Sequence, residues 1–124
     1  MIASYQKRVL VVDDDKDIRE LMHLILEMEG YAVTELDNGH DVLEAIQALR
    51  PDVVLLDVML GDMDGRDICK HLKNDPGMQD IPIIIVSASH GLHTMHEKQC
   101  GANDYLAKPF DVNELINHVR HFAA

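Results

Sequence analysis

Five residues of this chain could together do a chemistry that none does alone. Asp13 and Asp14, Asp57, Ser87 and Lys108 stand at or just beyond the ends of separate short apolar runs. Three carboxylates a few ångströms apart repel one another, each close pair by about 4 kcal/mol at an effective dielectric of about 20. Such a cluster persists only if a cation neutralises it or a proton is shared. Hard oxygen ligands with room for water suit Mg²⁺. A carboxylate nucleophile, a hard cation, a lysine and a hydroxyl donor make a site for a phosphoryl group, whose transfer needs mainly positioning and charge neutralisation. A single strand-end aspartate is usually a turn residue or a helix cap. Asp15 and Asp17 read that way, in a first helical turn where negative charge favours the dipole. The set of five does not.

Alternating apolar and amphipathic runs must position these side chains. Strands are expected at Arg8–Val12, Ala32–Leu36, Val53–Leu56, Ile83–Val86 and Asp104–Ala107. After the first strand, Ile18, Leu21, Met22, Ile25 and Leu26 recur at helical spacing, and Gly30 stops that helix. Asn38 is placed to cap a second helix with Val42, Ala45, Ile46 and Leu49 inward and Pro51 past its end. Asp64 caps a third with Ile68, Cys69 and Leu72 inward, before the break at Asn74-Asp75-Pro76-Gly77. Leu92–Gln99 reads as a fourth, with Leu92 and Met95 its clear apolar residues and Gly101 beyond its end. Asp111-Val112-Asn113-Glu114 opens a fifth in the manner of a capping box, with Val112, Leu115, Ile116, Val119 and Phe122 inward.

Strands that read as continuous apolar runs are buried on both faces, which means a parallel sheet with helices on each side. Right-handed crossovers then leave few topologies. The fold class is therefore α/β, a doubly wound five-stranded parallel sheet with five helices. One domain is expected over residues 1–124, with a structured core at about 7–122. Ligands of such sheets bind beyond the carboxyl ends of the strands, where the strand order reverses. With the order 2-1-3-4-5, taken from the flavodoxin-like class rather than from spacing, the first and third strands are neighbours. Asp13, Asp14 and Asp57 then converge.

The formal net charge of −11 would repel phosphate backbones, so no direct nucleic-acid partner is expected. No apolar run approaches the roughly 20 residues of a membrane span. Met1–Arg8 lacks the pattern of a signal peptide. Cys69 and Cys100 then point to free thiols in a reducing compartment, the cytoplasm, with Cys69 a core filler and Cys100 a helix-end residue.

Four segments together resemble the response-regulator receiver family of two-component signalling. They are Val9-Leu-Val-Val-Asp-Asp14, Asp57-Val-Met-Leu-Gly-Asp-Met-Asp-Gly65, Ile85-Val-Ser-Ala88 and Gly101-Ala-Asn-Asp-Tyr-Leu-Ala-Lys-Pro-Phe110. The resemblance runs from about Lys7 to Phe122. It implies that Asp57 is the phosphoacceptor. It implies Mg²⁺ held by Asp14, Asp57 and the main-chain carbonyl of Met59, with Asp13 acting through water. Lys108 would pair with Asp57 and then with the phosphoryl oxygens. Ser87 would move its hydroxyl toward that group, Tyr105 would turn inward behind it, and the Lys108–Pro109 bond would be cis. The partners implied are a sensor histidine kinase or histidine phosphotransfer protein as donor and a downstream output protein or domain as target. The chain would be a switch that assists its own phosphorylation and slow dephosphorylation, not a turnover enzyme. Its output surface would be the fourth helix, fifth strand and fifth helix.

The chain departs from the family pattern in two places. Gly61 stands where proline is usual, which is expected to loosen the loop carrying the Met59 carbonyl. Asn103 and His118 replace residues usual in regulators that dimerise through their last helices, which weakens the case for a dimer. Among rival readings, a haloacid-type phosphatase normally has a second aspartate two residues after its nucleophile, where this chain has Met59. A flavin-binding module would need a Ser/Thr/Gly phosphate loop where Asp13-Asp14-Asp15 stands. An inert docking domain would not need all five reactive residues. His96 and Cys100 are four apart, a spacing open to Zn²⁺, but two ligands make a poor site.

Overall fold

The computed structural model describes residues 6–88 and 100–123. They form β1 (Arg8–Val12), α1 (Lys16–Met28), β2 (Ala32–Leu36), α2 (Val42–Leu49), β3 (Val53–Asp57), α3 (Gly65–Lys73), β4 (Ile83–Ala88), β5 (Asp104–Lys108) and α4 (Val112–Ala123). All strand pairs are parallel, in the order β2-β1-β3-β4-β5. Four helices are present among the described residues. The helix expected at Leu92–Gln99 lies outside them.

The period-two alternation of strand side chains divides the apolar runs between two cores. Leu10, Val12, Val54, Leu56, Ile83 and Ile85 face α2 and α3, while Val9, Val11, Val53, Leu55, Ile84 and Val86 face α1 and α4. Every side chain of β3 is buried, so this strand tolerates polarity only at its end, where Asp57 stands.

Local chemistry sets the helix ends. Asp15 accepts from the N–H groups of Asp17 and Ile18, and Gly30 leaves α1 with φ 95°. Asp64 caps α3 by accepting from Arg66 N at 2.8 Å. Before α4, the Asp111 N–H donates to Glu114 and the Asp111 carboxylate accepts from Asn113 N–H. Asn38 does not cap α2 directly. Its side-chain oxygen accepts from Asp41 N–H, so it closes the turn preceding the helix, and Asp41 holds the cap position with no side-chain bond to the helix N–H groups.

Two residues expected inside are outside. Leu21 is 47% exposed and Val112 48% exposed. Leu21 has helical spacing to both Ile18 and Ile25, but the stripe that meets the sheet is narrower and is filled by Met22, Ile25 and Leu26. Val112 opens α4, a turn ahead of the buried Leu115. Cys100 packs in the same core as Cys69, whose thiol donates to the Cys100 carbonyl at 3.5 Å; both cysteines are free. Among the described residues no helix is long and apolar enough to cross a membrane.

Polar pairs brace the margins of the sheet. Asn103 accepts from Ile83 N–H through its side chain and donates its own N–H to the Ile83 carbonyl, which ties the starts of β4 and β5. His118 of α4 pairs with Asp104 of β5. His23 of α1 bonds Glu35 of β2 and Glu27. Burial alone would lower the His23 pKa, but the bonds to Glu35 and Glu27 outweigh it and leave it raised above 6.5. Burial would raise Glu35, yet His23 and Arg19 hold it below 4.5. The histidine's contribution is complete below its unfolded value and is lost as pH rises through the raised folded value; the glutamate's is lost as pH falls through its lowered one. The pair therefore stabilises most in the mildly acidic window between them. His23→Ala is expected to lower the melting temperature more at mildly acidic than at alkaline pH. An equal loss at both would refute this.

Candidate functional site

Pairing of β1 with β3 sets Val12 opposite Leu56, so the chain leaves both strands side by side. Asp13, just past β1, is fully buried; Asp57, the last residue of β3, is 6% exposed; Asp14 is exposed. One carboxylate oxygen of each lies within 4.8 Å of the others, the only such grouping of three or more metal-binding side chains among the described residues. Ser87 near the end of β4 is buried, and Lys108 ends β5. The Lys108 ammonium donates to Asp13 Oδ2 at 2.7 Å and lies 3.6 Å from Asp57 Oδ2. All five line one open cleft of about 670 Å³, together with Met59. The Lys108–Pro109 peptide is cis. Tyr105 is more than a third exposed and does not line the cleft.

Among the described residues the Lys108 ammonium pairs with two of these three carboxylates, Asp13 and Asp57, and Asp57 registers the imbalance. Burial first, and the charge of Asp13 next, raise its pKa from 3.8 to about 6, against the opposing pull of Lys108 and the Met59 N–H. An oxygen-only donor set, crowded, partly buried and under-neutralised, fits a hard divalent cation such as Mg²⁺.

The sequence pattern assigns no role to two supports of this site. Arg19 donates through Nη1 to the Asp13 carbonyl at 2.9 Å and through Nε to Glu35, bracing the β1 end from α1. Its place in a helix says nothing of a bond back to the preceding loop. Gly65 donates its N–H to the Val58 carbonyl at 2.7 Å. A Cβ there would collide with the Asp57 carbonyl oxygen, so only glycine lets α3 start this close to β3.

The acceptor loop itself turns at Gly61, with φ 81°, a conformation closed to proline. A positive φ suits glycine there, and the loop carries two ties of its own: Met59 and Asp64 form a bridge, and Leu60 N–H bonds the Met63 carbonyl at 3.3 Å.

Residues 9–120 match the model of the response regulator receiver domain. The chain belongs to the response-regulator receiver family. The DNA-binding response regulator MtrA of Mycobacterium tuberculosis is 39% identical over 118 residues, which are 94% of this chain and 50% of that protein. The chain thus spans about half the length of the curated relatives it matches. Among solved structures, a chain assigned as a response regulator in Chloroflexus aurantiacus superposes with TM-score 0.90 at 33% identity, covering 96% of this chain and 98% of that one. The receiver domain of the sensor histidine kinase PA1611 of Pseudomonas aeruginosa gives TM-score 0.87 at 28% identity, with 96% and 98% covered. That structure holds a magnesium ion coordinated in its active-site cleft. The receiver fold, its strand order and its acidic cleft therefore coincide in this chain, and receivers of this family are switches rather than turnover enzymes.

Proposed function

We propose that this receiver takes a phosphoryl group onto Asp57 from a phosphohistidine donor, in a Mg²⁺-dependent reaction, and changes conformation when it does. The observation that carries this reading is the convergence of Asp13, Asp14 and Asp57 within 4.8 Å beside the Lys108 ammonium. Asp14, Asp57 and the Met59 carbonyl are the residues to hold the metal, with Asp13 reaching it through water. Bound there, Mg²⁺ would supply the positive charge that the cleft lacks and that the phosphoryl oxygens need. Asp57 attacks phosphorus, and the donor imidazole leaves. Lys108 is placed to exchange its carboxylate partners for a phosphoryl oxygen, and Ser87, buried in the same cleft, to donate its hydroxyl to another. Tyr105 then turns inward from its exposed position.

The partners proposed are a sensor histidine kinase or phosphotransfer protein upstream and an output protein or domain downstream, reached through β5 and α4 together with the segment at Leu92–Gln99. We assign the chain to the cytoplasm and give these residues no nucleic-acid contact of their own, because a net charge of −11 opposes it. The DNA binding named for MtrA belongs to that protein, twice the length matched here.

The test is labelling by a small-molecule acyl or amidophosphate donor. We expect stoichiometric phosphorylation with Mg²⁺ and at least a 100-fold slower reaction after chelation. Equal rates with and without the metal would remove the proposed chemistry.

A further inference from the structure

The tip of the acceptor loop carries a contact that the phosphoryl chemistry above does not use. Leu60 and Met63 close a two-residue hairpin turn, with Gly61 and Asp62 at its apex. Gly61 has positive φ and Asp62 does not. This turn aims the Asp62 side chain away from the loop, toward the connection between β2 and α2. There its carboxylate accepts from two successive backbone N–H groups, Gly39 at 3.0 and 3.2 Å and His40 at 3.0 Å. Oδ2 alone reaches both donors. The bond spans more than twenty residues of sequence and joins two loops that have no strand or helix in common.

The other side of the same turn faces the acidic cluster. A Cβ added at Gly61 would lie 3.7 Å from Asp14 Oδ2, so the turn packs directly over that carboxylate. Both Gly61 and Met59 line the cleft. The position of the tip therefore sets how much room is left above Asp14.

We propose that Asp62 is a positioning residue for the metal side of the site: by pinning the acceptor-loop tip to the Gly39 and His40 amides, it holds Met59 and Gly61 at a fixed distance from Asp14. It does for this loop what a rigid residue at position 61 cannot do, because the turn excludes proline. The Gly39 N–H, and the His40 N–H after it, hold the Asp62 carboxyl below its usual range, which agrees with a carboxylate occupied by these amides rather than one left to solvent. Asp62 does not itself bind the ion, since its oxygens are spent on the β2–α2 connection. This inference rests on the Mg²⁺ reading of the cleft.

The experiment titrates Mg²⁺ alone into the ¹⁵N-labelled chain and follows the amide signals of Asp14 and Met59, for the wild type, Asp62→Ala and Asp62→Asn. Amide exchange at Gly39 and His40 and the urea midpoint are measured on each. Asp62→Ala is expected to bind Mg²⁺ about 10-fold more weakly, the scale of losing an outer support of a metal site. Its Gly39 and His40 amides should exchange faster, with little change in urea midpoint. Asp62→Asn keeps an oxygen for the two amides while losing the charge, and should bind within about 3-fold of wild type, less than the loss of a support. Equal weakening by Asn and Ala would show a long-range charge effect and overturn the positioning role. Unchanged Mg²⁺ affinity in Asp62→Ala would overturn it too, while leaving the metal reading of the cleft intact. Absence of saturable Mg²⁺ shifts in the wild type would remove both.

Discussion

Asp57→Asn is expected to abolish phosphoryl labelling and, in the absence of divalent metal, to make the protein more stable. The first effect follows from removing the nucleophilic oxygen: an amide oxygen there carries no charge with which to attack phosphorus. The second follows from the electrostatics of the cleft. Folding raises the Asp57 pKa from 3.8 to about 6, so keeping it ionised costs the folded state on the order of 3 kcal/mol. The sign fixes the pH dependence. The penalty is complete above about 6, shrinks as pH falls through that value, and is absent below 3.8, where the carboxyl is protonated in both states. The stability advantage of Asp57→Asn in chelator should therefore be large at alkaline pH and vanish in acid, and Mg²⁺ should narrow it by stabilising the wild type. Denaturant titration of both proteins across pH, with and without Mg²⁺, measures this. A variant less stable than wild type at alkaline pH in chelator would contradict the charge imbalance, and residual stoichiometric labelling would contradict the acceptor assignment.

Lys108→Ala should act in the opposite direction on stability and in the same direction on function. The Asp13 carboxylate is fully buried; its Oδ1 keeps the Asp15 N–H at 2.9 Å, but its Oδ2 would lose the ammonium at 2.7 Å. Removing one partner of a buried ion pair costs about 3 kcal/mol or more, because the remaining charge stays desolvated. In chelator the variant should melt well below wild type, and Mg²⁺ should recover much of the difference by supplying positive charge to the same carboxylates. Combining it with Asp57→Asn should cost less than the single change, since one of the repelling groups is gone; that non-additivity is the signature of a shared cluster. Labelling should slow about 100-fold or more through the loss of a charge aimed at the phosphoryl oxygens. Additive melting shifts in the double variant would show that Lys108 and Asp57 do not act as one unit.

These results would separate the two uses of the acidic cleft. As a structural element it is poorly balanced: among the described residues Lys108 is the cation paired with the buried Asp13 and Asp57, and the raised Asp57 pKa marks a cost to stability. The proposed metal and phosphoryl group would offset that cost by bringing positive charge to the cluster from outside the chain.

Much of this was legible in the residues themselves. Uninterrupted apolar runs such as Ile83–Val86 have no polar face to offer solvent, so they announce strands buried on both sides, and strands of that kind require parallel pairing with helices above and below. Placement of Asp13, Asp57, Ser87 and Lys108 at strand ends then needs only the rule that such ends face one rim of the sheet. What the linear sequence left open depends on which loops meet. Leu21 and Val112 satisfied helical spacing and are exposed, because the width of the buried stripe is set by the sheet beneath the helix, not by the helix. Gly61 read as a source of slack, and the spacing gave no hint that its positive φ, closed to proline, makes the turn that aims Asp62 at Gly39 and His40. Gly65 carries no motif that says a backbone oxygen of Asp57 will press against it. Composition and periodicity thus pointed to a parallel α/β sheet with reactive side chains at its strand ends, since these follow from what each residue buries or ionises, while the strand order and the roles expected of those side chains came from the resemblance to the receiver family. Only the tertiary structure decided how the groups are held, because Arg19, Asp62 and Gly65 act through contacts between separate loops and elements, and such contacts exist only once the strands have been laid side by side.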